Sequence, residues 1–290
     1  MSPDDQVWFN GRFLPLGEVA ISPLDRGFLF GDGAYEVIPV YARRPFRLTE
    51  HLARLARTLA GIRLTNPHTA SEWAEIIAGV IARQPWAEQS VYLHITRGVA
   101  DRRDHAFPSP PPVPTRLVWA TALTSPPLEQ RIQGVRCLSA ADDRWARCDL
   151  KTISLLANCL LRQRAVDTGC AETILFRDGF LTEGAAANVF VVRGGTLLAP
   201  PKNHHLLPGI TYDVVLELAH AHGLPTEVRD VREEEVRTAD ELWISSSTKE
   251  VLPVTELDGR PVGSGRPGPV YAGMYRWYQA FKAGLSLPEA

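Results

Sequence analysis

The chain has 290 residues, 45% of them hydrophobic, a formal net charge of −2 and a pI near 6.5. That is apolar mass enough for one large domain or two modest ones. The balanced charge, with arginines scattered rather than clustered, gives no footing for nucleic acid or an anionic membrane. The start, MSPDDQVWFNG, is acidic and lacks the apolar core of a signal peptide. No stretch approaches the roughly 18 apolar residues of a membrane span, so the expected location is the cytoplasm.

In chain order, Val7-Trp8-Phe9-Asn10-Gly11-Arg12-Phe13 predicts two short strands around an Asn-Gly turn. Leu48, Leu52, Leu55, Leu59 and Ile62 recur at steps of four and three, one face of a helix opened near Thr49. Trp73, Ile76, Ile77, Val80 and Ile81 mark a second helix, and residues 91–96 a strand. The proline-rich run 107–114 can be neither helix nor central strand.

Residues 117–122 form another strand, followed by the stiff polar stretch Thr124-Ser125-Pro126-Pro127. This predicts a smaller N-terminal domain over 1–121, an interdomain linker over 122–128 and a larger C-terminal domain over 129–290. Within the latter, Ile153, Leu156, Ala157, Leu160 and Leu161 predict a helix just after Lys151. Strands follow at 172–176, 189–192, 196–199, 242–246 and 251–254, with a helix beginning near Thr211. The fold class is α+β in two lobes, with no internal repeat.

Cys137, Cys148, Cys159 and Cys170 stand at regular steps of eleven, without a Cys-x-x-Cys pair. They predict reduced thiols in or near the core rather than zinc or dithiol chemistry. His204, His205, His220 and His222 lack metal-ligand spacing, so no metal site is expected.

Several segments could carry chemistry. Gly31-Asp32-Gly33 invites a dinucleotide reading, but Glu36 stands where the third glycine belongs and no βαβ unit surrounds it. A tight glycine turn that positions Tyr35 and enters a strand explains it better. Lys151, by itself, reads as a solvated surface charge. Thr182-Glu183-Gly184-Ala185-Ala186-Ala187-Asn188 puts a carboxylate before small residues that would let a flat ligand approach; a simple turn between strands explains the same residues. Pro208-Gly209-Ile210-Thr211 opens a helix whose free N–H groups suit a phosphate, although ordinary capping needs the same types. Ser245-Ser246-Ser247-Thr248 ends a strand with four hydroxyls, a second possible clamp.

Taken in order, these segments resemble the fold type IV enzymes that use pyridoxal 5′-phosphate (PLP), most closely the D-amino-acid transaminases. The resemblance spans residues 8–262. It is carried by Asp25-Arg26-Gly27, Phe30-Gly31-Asp32-Gly33-Ala34-Tyr35-Glu36, Glu50-His51-Leu52-Ala53-Arg54-Leu55 and Cys148-Asp149-Leu150-Lys151. Glu183-Gly184, Asn188-Val189-Phe190 and Gly209-Ile210-Thr211 complete it.

The resemblance implies that Lys151 holds the cofactor as a Schiff base and then shuttles a proton. Glu183 would face the pyridine nitrogen and Leu207 a face of the ring. Arg54, Ile210, Thr211, Ser246 and Ser247 would hold the phosphate. Tyr35, Arg103 and His105 resemble the substrate-carboxylate trap of the D-amino-acid branch, which there reaches over from a neighbouring subunit, so a homodimer is expected. The implied activity is ping-pong transfer between a D-amino acid, such as D-alanine or D-glutamate, and a 2-oxo acid. An aminodeoxychorismate lyase, or a branched-chain L-amino-acid or (R)-amine transaminase of the same fold, is the alternative.

Two departures stand out. Ala185, Ala186 and Ala187 replace serines usual in that branch, a loss of ~0.5–1.5 kcal/mol per missing hydroxyl bond. The loop before Arg103 is also about one residue longer than usual.

Overall fold

The opening hairpin forms as the Asn-Gly signal predicts. In the computed structural model, which describes residues 1–284, β1 (Gln6–Phe9) and β2 (Arg12–Pro15) pair antiparallel. Asn10 and Gly11 between them have φ of 48° and 101°, the left-handed conformations that match the twist of the flanking strands.

The chain divides into two units, Met1–Leu123 with Leu150–Leu155, and Thr124–Asp149 with the chain from Leu156 onward. The first unit adds α1 (Arg26–Phe30), β3 (Gly33–Tyr41), β4 (Arg44–Pro45), α2 (Leu48–Gly61), α3 (Ala70–Ala82), β5 (Gln89–Thr96) and β6 (Arg116–Ala122). Its six strands run in the order β2-β1-β6-β5-β3-β4. Leu52, Leu55 and Leu59 of α2 and Trp73, Ile77 and Val80 of α3 pack on Ile38, Val91, Leu93, Ile95 and Val118. This is the apolar stripe that the four-and-three spacing predicts. The opener of α2 is Arg47, in a left-handed conformation, rather than Thr49, while Thr69 and Glu72 form a reciprocal capping box on α3. The alternate residues Tyr35, Tyr92, His94 and Trp119 stay half-buried, because successive strand residues point to opposite faces.

The second unit contains α4 (Leu128–Gln133), β7 (Val135–Ala141), α5 (Leu156–Asp167), β8 (Glu172–Arg177), β9 (Phe180–Gly184), β10 (Asn188–Arg193) and β11 (Thr196–Ala199). It continues with α6 (Ile210–Ala221), β12 (Thr226–Val228), α7 (Glu233–Arg237), β13 (Glu241–Ser246), β14 (Glu250–Leu257), β15 (Arg260–Pro261) and α8 (Pro269–Gly284). The strands follow the order β12-β11-β10-β13-β14-β7-β8-β9, with β15 on β14. Ile174, Val189, Val191, Ile244, Leu252 and Val254 form the core beneath them. Helix α8 escapes the sequence reading because its buried residues, Tyr271, Gly273, Met274 and Tyr278, include no aliphatic run.

Two expectations change. Helix α5 begins at Leu156, so Ile153 lies outside it. The segment Leu150–Leu155, placed by sequence in the C-terminal domain, joins the first unit. The reason is backbone pairing along β3. Tyr35 N–H donates to the Lys151 carbonyl at 3.1 Å, Ile153 N–H to Gly33 at 3.2 Å, and Ala34 bridges Thr152. The cysteines also scatter. Cys137 and Cys148 are buried, Cys170 is half-buried and Cys159 is exposed on α5, all four free.

Candidate cofactor and substrate site

Lys151 is mounted on the edge of β3. Its N–H donates to the Thr58 hydroxyl at 3.2 Å, its carbonyl accepts from Tyr35, and its Nζ lies 4.1 Å from the centre of the Tyr35 ring. Thus the backbone on both sides of the lysine is fixed while its side chain is half-buried. In the same unit, fully buried Glu36 receives Arg54 Nε at 2.8 Å and Nη2 at 2.7 Å, a bidentate fork, and His51 Nδ1 at 2.8 Å. Burial alone would raise the Glu36 pKa, but Arg54 and His51 hold its carboxyl far below the usual range. His51 shifts down, because burial disfavours its charged form and Arg54 and Lys151 add like charge. A neutral ring that donates through Nδ1 leaves Nε2 as an acceptor, and Nε2 is buried without a partner. Sequence reasoning points to Arg54 but gives Glu36 and His51 no role.

The glycine-rich segment proves to be scaffold. Asp25 caps α1 through Gly27 N–H at 2.7 Å, and Gly31, at φ 64°, ends it. Gly27 has no room for a Cβ, which would run into the Thr96 side chain. Arg103 and His105 lie on an exposed loop beside α1. The Arg103 guanidinium is 5.1 Å from the Phe30 ring, and the His105 ring 5.2 Å from it.

In the second unit Glu183, the penultimate residue of β9, is almost fully buried. Its Oε1 accepts from Arg144 Nη1 at 2.6 Å, and its Oε2 from Leu207 N–H at 3.1 Å and Asn188 Nδ2 at 3.3 Å. Arg144 is held by Asp142 at 2.9 Å through both Nε and Nη2, and Asp142 also accepts from the Thr182 hydroxyl. Sequence reasoning misses Arg144. Its only signal is its position among polar residues after β7, which does not reveal a partner 39 positions away. Burial raises the Glu183 pKa to about 7, more than Arg144 lowers it. Burial works against the charge on Arg144, but Asp142 and Glu183 win and push its pKa up.

Raising a carboxyl pKa from 4.5 to about 7 has a definite consequence for stability. Between those values the folded state holds a proton that the unfolded state has released. The stabilisation is therefore complete below pH 4.5 and is lost as pH rises through about 7, by up to about 3 kcal/mol. Melting the cofactor-free protein and Glu183→Gln between pH 4.5 and 8 checks this. The gap between them is expected to move in favour of Glu183→Gln as pH rises.

The other phosphate candidates stand at the start of α6 and the end of β13. Gly209 opens α6 with no side-chain cap, so Ile210 and Thr211 present first-turn N–H groups that have no acceptor within the helix. A side chain at Gly209 would collide with Asn188 Oδ1. Ser246 Oγ accepts from Lys249 N–H at 3.2 Å, Ser247 is half-buried, and the neighbouring Ser245 hydroxyl is buried without a partner. Within the second unit, an uncapped helix start, an unsatisfied buried hydroxyl at Ser245 and a carboxylate clamped by Arg144 fit an anionic, ring-nitrogen-bearing cofactor such as PLP.

Over residues 33–257 the sequence matches the family described as Amino-transferase class IV. It is 38% identical to the D-alanine aminotransferase of Bacillus licheniformis over 265 residues, 91% of this chain and 93% of that one. The D-alanine aminotransferase of Staphylococcus haemolyticus is 34% identical over the same shares. Among solved structures, a T.th. branched-chain amino acid aminotransferase with pyridoxamine 5′-phosphate superposes with a TM-score of 0.89 at 27% identity, covering 98% of this chain and 96% of that one. A fold IV transaminase from Curtobacterium pusillum gives 0.80 at 25% identity over 93% of each chain.

Proposed function

Because the chain belongs to the class IV aminotransferases and depends on PLP, we propose that it exchanges an amino group between a D-amino acid, such as D-alanine or D-glutamate, and a 2-oxo acid by a ping-pong mechanism. One observation carries the choice of substrate. Arg103 and His105 sit together on Phe30 on an exposed loop, as suits a trap that completes the site of a neighbouring subunit. The names of the curated relatives, 34–38% identical, point the same way.

When bound, PLP supplies the electron sink for the electrons of the substrate Cα–H bond. Lys151 Nζ would hold the cofactor and, once displaced by the substrate amine, would take the proton from Cα and deliver it to the cofactor's C4′. Glu183, drawn toward its anionic form by Arg144, holds the proton on the pyridine nitrogen. Leu207 covers a face of the ring. Arg54, Ile210, Thr211, Ser246 and Ser247 bind the phosphate. Arg103, His105 and Tyr35 bind the substrate carboxylate, the guanidinium through two parallel hydrogen bonds.

The absorption spectrum of the holoenzyme, recorded before and after D-alanine without oxo acid, tests this. The yellow cofactor band is expected to bleach with D-alanine and not with L-leucine. Bleaching by L-leucine alone would favour the branched-chain reading, and indifference to both would favour the lyase or amine reading. Removing one charge-assisted bidentate contact costs about 1.5–3 kcal/mol. Arg103→Ala is accordingly expected to lower kcat/KM for D-alanine by about 10- to 150-fold, measured by steady-state kinetics. Full activity in that variant would remove Arg103 from the trap.

The protein is a homodimer in this reading. Phe28, Leu24 and Val99 of the first unit, and Leu156, Leu160 and Trp145 of the second, are large apolar side chains left exposed, which is what an unpaired interface presents. Four free thiols suit the reducing cytoplasm, where we place it. Among the described residues, no helix is long and apolar enough to cross a membrane.

A further inference from the structure

We propose that Arg26 is the positioning residue for substrate-carboxylate binding, holding the loop that presents Arg103 and His105. The proposal rests on the assignment of those two residues to the carboxylate.

Arg26 is 3% exposed, and its guanidinium is taken up by one loop and one carboxylate. Nη1 donates to the carbonyls of Asp104 at 2.6 Å and Ala106 at 3.2 Å, and Nη2 to that of His105 at 3.2 Å. Nε donates to Asp32 Oδ2 at 2.8 Å. Three consecutive carbonyls converging on one cation is an arrangement a flexible loop does not adopt unaided. The five donors of a planar guanidinium can satisfy it; a lysine ammonium, with three donors on one atom, cannot span it and reach Asp32 as well.

The grip is anchored on both sides. Asp32 also receives Arg97 Nε at 2.7 Å and Nη2 at 2.9 Å, and Arg97 donates to the carbonyls of Ile62 and Arg63. The Phe107 ring, at the far end of the loop, lies 3.7 Å from the Arg97 guanidinium, a cation–π contact. Phe30, one turn along α1 from Arg26, meets the side chains of Arg103 and His105. A single short helix thus fixes the loop twice, the backbone through Arg26 and the two side chains through Phe30. Arg103, Asp104 and His105 make no regular secondary structure of their own, so their geometry depends on this hold.

Displacing a substrate-binding group by about 1 Å can cost on the order of 100-fold in rate. The test is a double-mutant cycle on the PLP-loaded enzyme with D-alanine. Arg26→Lys is expected to lower kcat/KM by about 10- to 100-fold, mainly through KM, with the cofactor spectrum unchanged. In an Arg103→Ala/His105→Ala background the same change is expected to cost less than about twofold, since both groups it positions are gone. Amide deuterium uptake over residues 101–107 is expected to rise in Arg26→Lys while α2 and α3 keep their protection. Equal losses in both backgrounds, or unchanged uptake, would overturn the role of Arg26 and leave the trap standing. A fully active Arg103→Ala enzyme would bring down the trap and this proposal together.

Discussion

Lys151→Ala is expected to abolish amino transfer while leaving the protein folded. The contacts that place this residue are made by its backbone, from the amide to the Thr58 hydroxyl and to the carbonyl from Tyr35 N–H, and an alanine keeps both. What disappears is Nζ beside the Tyr35 ring. Loss of the proton-transfer function alone removes about 10²- to 10⁴-fold in kcat, and loss of the covalent hold on the cofactor adds to it. Turnover with D-alanine and a 2-oxo acid should fall below detection, the yellow band should change, and the thermal midpoint should stay within a few degrees of the parent. Substantial turnover by the variant would assign the chemistry to another residue.

Arg144→Met is expected to have the largest effect on stability. Asp142 and Glu183 are both almost fully buried, and Arg144 holds the former through two nitrogens and the latter through one. Breaking a buried pair by removing one partner costs about 3–5 kcal/mol, because the remaining charge is left without compensation. Arg177 still reaches Asp142 at 3.2 Å, so Glu183 loses more. With burial unopposed, its carboxyl would hold its proton to higher pH than the value of about 7 that it has with Arg144 present. A protonated Glu183 cannot keep the proton on a pyridine nitrogen. The acidic limb of the kcat profile should therefore move to higher pH, and cofactor affinity should fall. Denaturant titration and a pH–rate profile on the same variant separate the two effects. A pH profile that does not move would mean that Arg144 is only structural.

The hydrophobic spacing in the sequence determined elements such as the opening hairpin, α2 and α3, though not α8. A four-and-three step in α2 or an Asn-Gly pair between apolar runs acts over a few residues, and local sterics and burial leave few alternatives. The order of Asp25-Arg26-Gly27, Lys151, Glu183-Gly184 and Gly209-Ile210-Thr211 was enough to suggest the family, since each is a short local motif. Charge partners were not legible. Nothing near Glu183 in the chain says that Arg144 will meet it, nor does anything near Arg26 name the carbonyls of residues 104–106. Domain membership of Lys151 was also invisible, because a bridge between Ala34 and Thr152 joins residues more than a hundred positions apart. Apolar burial is periodic and can be read from one strand or helix at a time. A buried charge is settled only when the fold delivers its counter-ion, and the tertiary structure alone decided which arginine each carboxylate received.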